Sequence, residues 1–350
     1  MRILRILILM VILAGGSSAS ALSIDSTSIV GKILQRVKFS GYAMAGWEYH
    51  QNNEPENQFA VNKIILTANV KVIPKLNAQV MFDFKNFALQ ELWASYAFCP
   101  EINVKLGQFK TPFSIESPIS PSILEMIPGV SLVTNRLICG DSPLMMRGGG
   151  GRDIGITLYG SFFGGRLSYD LAVMNGAGRN RRDDNKQKDF VARLGVKPLE
   201  CLLLSGSAIL GTGNVEMNLV DDKYICLEVP ELTDIKRNGN FTRRRYAAGA
   251  QLKTRRFDAR GEWMWAKDGN LNSDGCYVTA AVKDVATRGL DFLVSFDHYN
   301  SYRDSQNRYS AGVQYWFLKK CRIQLGYYYK KWCGYSGGES SVLTQLQLAF

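Results

Sequence analysis

The chain has 350 residues, with 42 Lys plus Arg against 31 Asp plus Glu, a formal charge of +11, and it is rich in Gly (33), Phe (17) and Tyr (16). Beyond the N-terminus no stretch approaches the ~20 uninterrupted apolar residues of a membrane helix, which excludes a helical transmembrane protein. The only histidines, His50 and His298, lie far apart, and the seven cysteines (Cys99, Cys139, Cys201, Cys226, Cys276, Cys321, Cys333) include no CxxC and are odd in number. Neither a metal centre, a cofactor nor a complete disulfide framework is implied.

The first 21 residues carry Arg2 and Arg5, an apolar run from Ile6 to Ala14, and small residues closing on Ala19-Ser20-Ala21. That is the layout of a secretory signal peptide cleaved after Ala21. The expected organisation is a signal peptide over 1–21 and one exported domain over 22–350.

Apolar and polar residues then alternate with a period of two, the mark of strands with one apolar face. Sixteen such strands are expected, at 36–49, 59–72, 76–84, 89–98, 102–110, 152–160, 166–174, 189–197, 202–211, 243–253, 257–266, 276–282, 290–299, 308–318, 321–330 and 341–350. Most are long enough to cross a membrane obliquely, which takes ~9–11 residues. The connections after even-numbered strands are short, such as Ile73-Pro74-Lys75 and Lys319-Lys320, and those after odd-numbered strands are mostly longer and more polar. Short inner turns opposite long outer loops are a membrane-barrel feature. The fold class is therefore all-β: a transmembrane antiparallel barrel of about 16 strands.

The third external connection runs 41 residues, from Thr111 to Gly151. Connections of that length usually carry function. Exposed, its Ile123, Leu124, Met126 and Ile127 would leave an apolar patch in water. It is expected to fold back into the bore and narrow it. Gly148 to Gly151 precede no GK[ST] and open no helix, so they read as a hinge and not as a phosphate cradle.

Alternation also assigns faces. Phe257, Ala259, Trp263 and Trp265 oppose Asp258, Arg260, Glu262 and Met264, and Leu290, Phe292, Val294 and Phe296 oppose Asp291, Ser295 and Asp297. In a membrane barrel the apolar row meets lipid and the polar row lines the lumen. The final segment SVLTQLQLAF sets Val342, Leu346, Leu348 and Phe350 on the outer face and Leu343, Gln345 and Gln347 on the inner one. A terminal amphipathic strand closing on Phe350 resembles the signal read by the barrel-assembly machinery of the outer membrane.

Gly107-Gln108-Phe109-Lys110-Thr111-Pro112-Phe113 with Glu116, Arg152-Asp153-Ile154-Gly155, Ala172-Val173-Met174-Asn175-Gly176-Ala177-Gly178, and Asp183-Asp184-Asn185-Lys186 leading into Asp189-Phe190-Val191-Ala192-Arg193-Leu194-Gly195 together resemble the phosphate-selective porin O and P family. The resemblance covers roughly residues 33–350. It implies an outer-membrane channel of a Gram-negative cell, small and phosphate-like anionic solutes, and a homotrimer. No short motif locates an anion site.

Face assignment supplies the pore-lining basic candidates: Arg36, Lys63, Lys105, Arg193, Arg245, Arg260 and Arg322. Lys38, Lys71, Lys197, Lys253 and Arg308 share that face, against the acids Glu48, Asp83, Glu91, Asp189, Asp258, Glu262, Asp291 and Asp297. The modest positive excess suits weak anion binding through charge-assisted bonds. For each such residue a solvated lining, paired with a neighbouring acid, is the plainer reading. The basic runs Arg179-Asn180-Arg181-Arg182 and Arg243-Arg244-Arg245 suit an anion funnel, lipopolysaccharide phosphates or a merely solvated loop. Export argues against nucleic acid. The leading reading is a passive porin. A barrel-based receptor or adhesin acting through loops 111–151 and 212–242 is the alternative. An enzyme is not expected, since neither histidine sits in a nucleophile motif.

Overall fold

The computed structural model describes residues 36–127, 129–139, 149–226, 229, 239–303, 305–334 and 336–350. The expected signal peptide lies outside the described residues, as do Cys226's side-chain surroundings and Gly148.

Alternating faces and tight turns close the chain into a ring. The first half of the wall is β1 (Val37–His50), β2 (Asn57–Ile73), β3 (Leu76–Asp83), β4 (Ala88–Cys99), β5 (Ile102–Lys110), β6 (Arg152–Phe162), β7 (Leu167–Met174), β8 (Asp189–Leu199) and β9 (Leu202–Asn214). A separate ribbon of β10 (Met217–Val220) and β11 (Lys223–Cys226) stands in the following loop. The wall resumes with β12 (Asn240–Lys253), β13 (Phe257–Asp268), β14 (Leu271–Val282) and β15 (Leu290–Asn300). It ends with β16 (Ser305–Leu318), β17 (Cys321–Trp332) and β18 (Glu339–Ala349). Sixteen of these strands form one closed antiparallel barrel, in which β1 pairs with β2 on one side and β18 on the other. Closure leaves no wall strand with an open edge.

All sixteen expected strands are present, and the loops sort by end as expected. Two differences stand out. The nine-residue connection expected at 267–275 is only Gly269-Asn270, because β13 and β14 pair on to Asp268 opposite Leu271. The stretch is polar on both faces, so it lacks the alternation that marks a strand, and Gly269 (φ +62°) supplies the left-handed turn. The 212–242 loop also contains the β10–β11 ribbon, which was not expected.

The faces follow the alternation. On β13, Trp263 is 64% exposed while Met264 is fully buried. No described helix is long and apolar enough to cross a membrane. The barrel is not hollow. Inward Ile209, Met264, Ala266 and Tyr277 pack with Phe113, Val133, Leu137 and Ile138 of the long loop into an apolar core within the bore.

Candidate solute pathway

The loop between β5 and β6 enters the lumen and is fastened along the β12–β18 wall. Ser131 caps a short helical turn, Leu132–Thr134, which continues as a π-helix over Asn135–Cys139. This segment lies so close to β14 that a Cβ on Gly275 would stand 3.0 Å from Val133 Cγ2. The fasteners are buried polar groups. Glu262 accepts hydrogen bonds from the Ile115 and Glu116 backbone N–H groups (2.7 and 3.2 Å) and from the Tyr277 hydroxyl (2.7 Å). Arg260 pairs with Glu116 at 3.2 Å and Glu125 at 2.9 Å. Burial raises the cost of the Glu125 charge, and the Arg260 guanidinium outweighs it, holding that carboxyl below its ordinary range. Asp297 accepts from the Leu132 N–H (3.1 Å) and the Tyr328 hydroxyl accepts from the Ile127 N–H (2.8 Å).

The loop leaves a cavity on each side: one of about 280 Å3 against β7–β9, β12 and β13, with Arg193, Lys253, Asp258 and Arg260 in its lining, and one against the β1–β8 wall. The latter, of about 260 Å3, is bounded by Pro112, Pro118 and Pro121 on the loop side. Its wall carries Tyr42, Glu91, Trp93, Lys105, Lys110, Arg152, Asp170 and Arg193. Arg152 pairs with Glu91 (2.9 Å) and Arg193 with Asp170 (2.8 Å). Lys105 Nζ stands 4.8 Å from the centre of the Trp93 ring, 5.2 Å from Tyr159 and 5.3 Å from Phe109. Such faces hold a cation without neutralising it. Lys110 Nζ donates to the Ser117 and Ile119 carbonyls (2.9 and 2.6 Å), so it steadies the descending arm of the loop. None of the ion pairs among the described residues includes Lys63, Lys105 or Lys110.

The seven basic candidates thus separate into three groups. Lys105 and Arg193 line the cavity on the β1–β8 side, Arg193 also donating to the Ser114 carbonyl of the loop (3.3 Å), while Lys63 lies on β2 of the same wall outside that lining. Arg36 is exposed at the inner mouth, where it donates to the Val72 carbonyl (3.2 Å) beside Lys38 and Lys71. Arg245, Arg260 and Arg322 face inward but are buried beneath the loop. Arg245 binds both Asp268 oxygens (3.1 and 3.2 Å) and the Leu137 carbonyl (2.8 Å). Arg322 bonds Gln314 (2.7 Å), Gln347 (3.2 Å) and the Pro121 carbonyl (3.4 Å). Sequence alternation missed Lys110 and Arg152. They sit where β5 ends and β6 begins, and at strand ends the period of two no longer dictates direction.

Of the basic runs, Arg243 and Arg245 turn inward into buried pairs with Asp189 and Asp268, while Arg244 is exposed on the outer face. At the external rim His50 Nδ1 lies 3.0 Å from the Ser341 hydroxyl, but its Nε2 is 3.8 Å from Glu48, beyond hydrogen-bond reach. No metal-binding group of His, Cys, Asp or Glu occurs among the described residues.

This closed sixteen-stranded barrel has the fold of the bacterial outer-membrane porins. The in-vitro folded, trimeric form of OmpT, an outer membrane protein of Vibrio cholerae, matches 90% of this chain and 99% of its own at 10% identity, with a TM-score of 0.65. An anion-selective porin from Comamonas acidovorans matches 90% of this chain and 99% of its own at 11% identity, TM-score 0.63. The outer membrane channel DcaP of Acinetobacter baumannii matches 89% and 97% at 12% identity, TM-score 0.58. No family model matches the sequence, and no curated protein matches it. At these identities the likeness is one of fold.

Proposed function

We propose that this protein is a non-enzymatic outer-membrane porin whose water-filled path admits small solutes and prefers anions, phosphate among them. The observation that carries the reading is the imbalance on the β1–β8 wall. Among the described residues Lys63, Lys105 and Lys110 have no carboxylate in an ion pair, whereas Arg152 and Arg193 each have one. Exposed to lipid, such charges would cost up to roughly 2–4 kcal/mol at mid-membrane. Lining water, they concentrate anions while holding each one weakly enough to release it. The GQFKTPF, RDIG and AVMNGAG segments support placement in the phosphate-selective porin O and P family. The rest of the proposal is removal of residues 1–21, recognition of β18 with Phe350 by the assembly machinery, contact with lipopolysaccharide, and a homotrimer.

A receptor role is the second reading, favoured by the β10–β11 ribbon and the packing of Val215, Val229, Phe241 and Leu271 at its base. Planar-bilayer recording separates the two. The porin reading expects a steady conductance in chloride that added phosphate reduces. A Lys63→Gln/Lys105→Gln/Arg193→Gln barrel should lose most of that block. A folded barrel with no conductance leaves the receptor reading.

A further inference from the structure

We propose that a groove on the outer wall across β7–β13 binds lipopolysaccharide, with its acyl chains in the groove and its phosphates on Arg244 and Lys267. This rests on the outer-membrane placement above and assigns a site to one partner in it. The groove measures about 850 Å3 and is almost wholly apolar. Its floor is built of small residues in register, Ala192 opposite Ala208 and Gly206 opposite Ala248. A Cβ on Gly206 would meet nothing nearer than the Ala247 carbonyl at 3.9 Å, so the floor is open space. One bank runs from Phe162, Leu167 and Tyr169 beside the inner turn up to Leu171; the other is Trp263 with the stacked Tyr246–Trp265 pair, ring centres 5.6 Å apart, at the end nearer the external loops.

The charge above the groove identifies the occupant. Arg244 and Lys267 sit directly opposite each other on β12 and β13, both exposed and both facing outward. They stand two residues beyond Tyr246 and Trp265 toward the external loops, about 7 Å higher at strand rise. None of the ion pairs among the described residues includes either one. Like charges placed directly opposite destabilise a sheet. On this face the described acid Asp274 lies a row lower opposite Trp265 and takes a 3.2 Å bond from Asn300. Two cations over an apolar trough, with aromatic rings at the boundary, match a multiply acylated amphiphile bearing more than one phosphate. A zwitterionic phospholipid has one phosphate offset by its own cation and gains much less here. The alternation of the Arg243-Arg244-Arg245 run frees Arg244 for this, since its two neighbours turn inward.

Calorimetric titration of the full detergent-solubilised barrel with bis-phosphorylated lipid A tests the assignment. Arg244→Gln/Lys267→Gln should weaken binding by about tenfold or more, leaving phosphatidylcholine binding and single-channel conductance at wild-type values. Gly206→Leu/Ala248→Leu fills the trough without touching the cations and should also weaken lipid A binding. The proposal is overturned by equal lipid A affinity in wild type and the double Gln variant, or by phosphatidylcholine binding as tightly as lipid A. Burial of Trp263 against a second copy of the chain would overturn it too. A barrel that conducts as a porin but fails these tests loses this site alone; one that does not conduct loses the function proposed above.

Discussion

The two sides of the bore are built from the same alternating strands, yet the loop is fastened to one by buried ion pairs and to the other mainly by single hydrogen bonds and apolar packing. Along β12–β18 Arg243, Arg245, Arg260 and Arg308 are in ion pairs and Arg322 is held by amides and a carbonyl, and this wall grips a loop that brings its own apolar residues. Along β1–β8 the inward charges among the described residues include Lys63, Lys105 and Lys110, which join no ion pair, and the wall meets the loop partly across a cavity and partly through Lys110, Arg193 and the packing of Phe109, Met174 and Val191. Inward direction, then, does not define a pore-lining residue. What decides is whether the loop covers it. A guanidinium with carboxylate and carbonyl partners on the loop acts as a fastener, as Arg260 does, whereas Lys105 is held only by ring faces and is the residue we propose acts on solutes.

The largest effect should come from removing that difference. Replacing 115–145 with a short Gly/Ser linker should raise single-channel conductance severalfold, because both walls then face water. An unchanged conductance from a folded barrel would mean that the loop does not narrow the path. Next comes a single fastener. Arg260→Ala leaves Glu116 and Glu125 buried without their cation, and breaking such a pair costs about 3–5 kcal/mol. Thermal unfolding should show that loss, together with noisier open-channel current. Lys105→Gln, which strands no buried carboxylate, should cost only about 1 kcal/mol in lost cation–ring contact while changing the current. If both substitutions destabilise alike, the two sides do not differ as described.

Smaller still is Tyr328→Phe. It removes one hydroxyl from the Ile127 N–H and leaves a buried donor without that partner, a cost of about 1–3 kcal/mol. The melting temperature should fall modestly with ion selectivity unchanged. The smallest effect is an expected absence of reaction: with Glu48 too far from His50 to orient it, a fluorophosphonate probe should not label Ser341. Labelling that disappears in Ser341→Ala would replace the non-enzymatic reading with a hydrolase.

The wall was legible in the sequence because lipid imposes a strict period of two on every crossing strand. Trp263 and Met264, or Leu346 and Gln347, reveal their faces by residue type alone. The 267–275 turn and the β10–β11 ribbon were not legible, since beyond the membrane neither face must be apolar. The entry of the loop could be inferred from Leu124, Met126 and Ile127, which are buried; Ile123, expected to need the same cover, is 60% exposed. The docking side of the loop could not. Glu116 contacts Arg260 across 144 residues of chain, and no local pattern records that pairing. The division of seven inward candidates into fasteners and pathway residues is a tertiary property for the same reason.

The central claim is that solutes pass along the β1–β8 wall and feel Lys63 and Lys105. Reversal potential across a tenfold salt gradient tests it most directly, comparing wild type with Lys63→Glu/Lys105→Glu. The account predicts anion preference in the wild type and a shift toward cations, large enough to change the sign, in the double variant. A wild type that already prefers cations, or a double variant whose potential does not move, would contradict it.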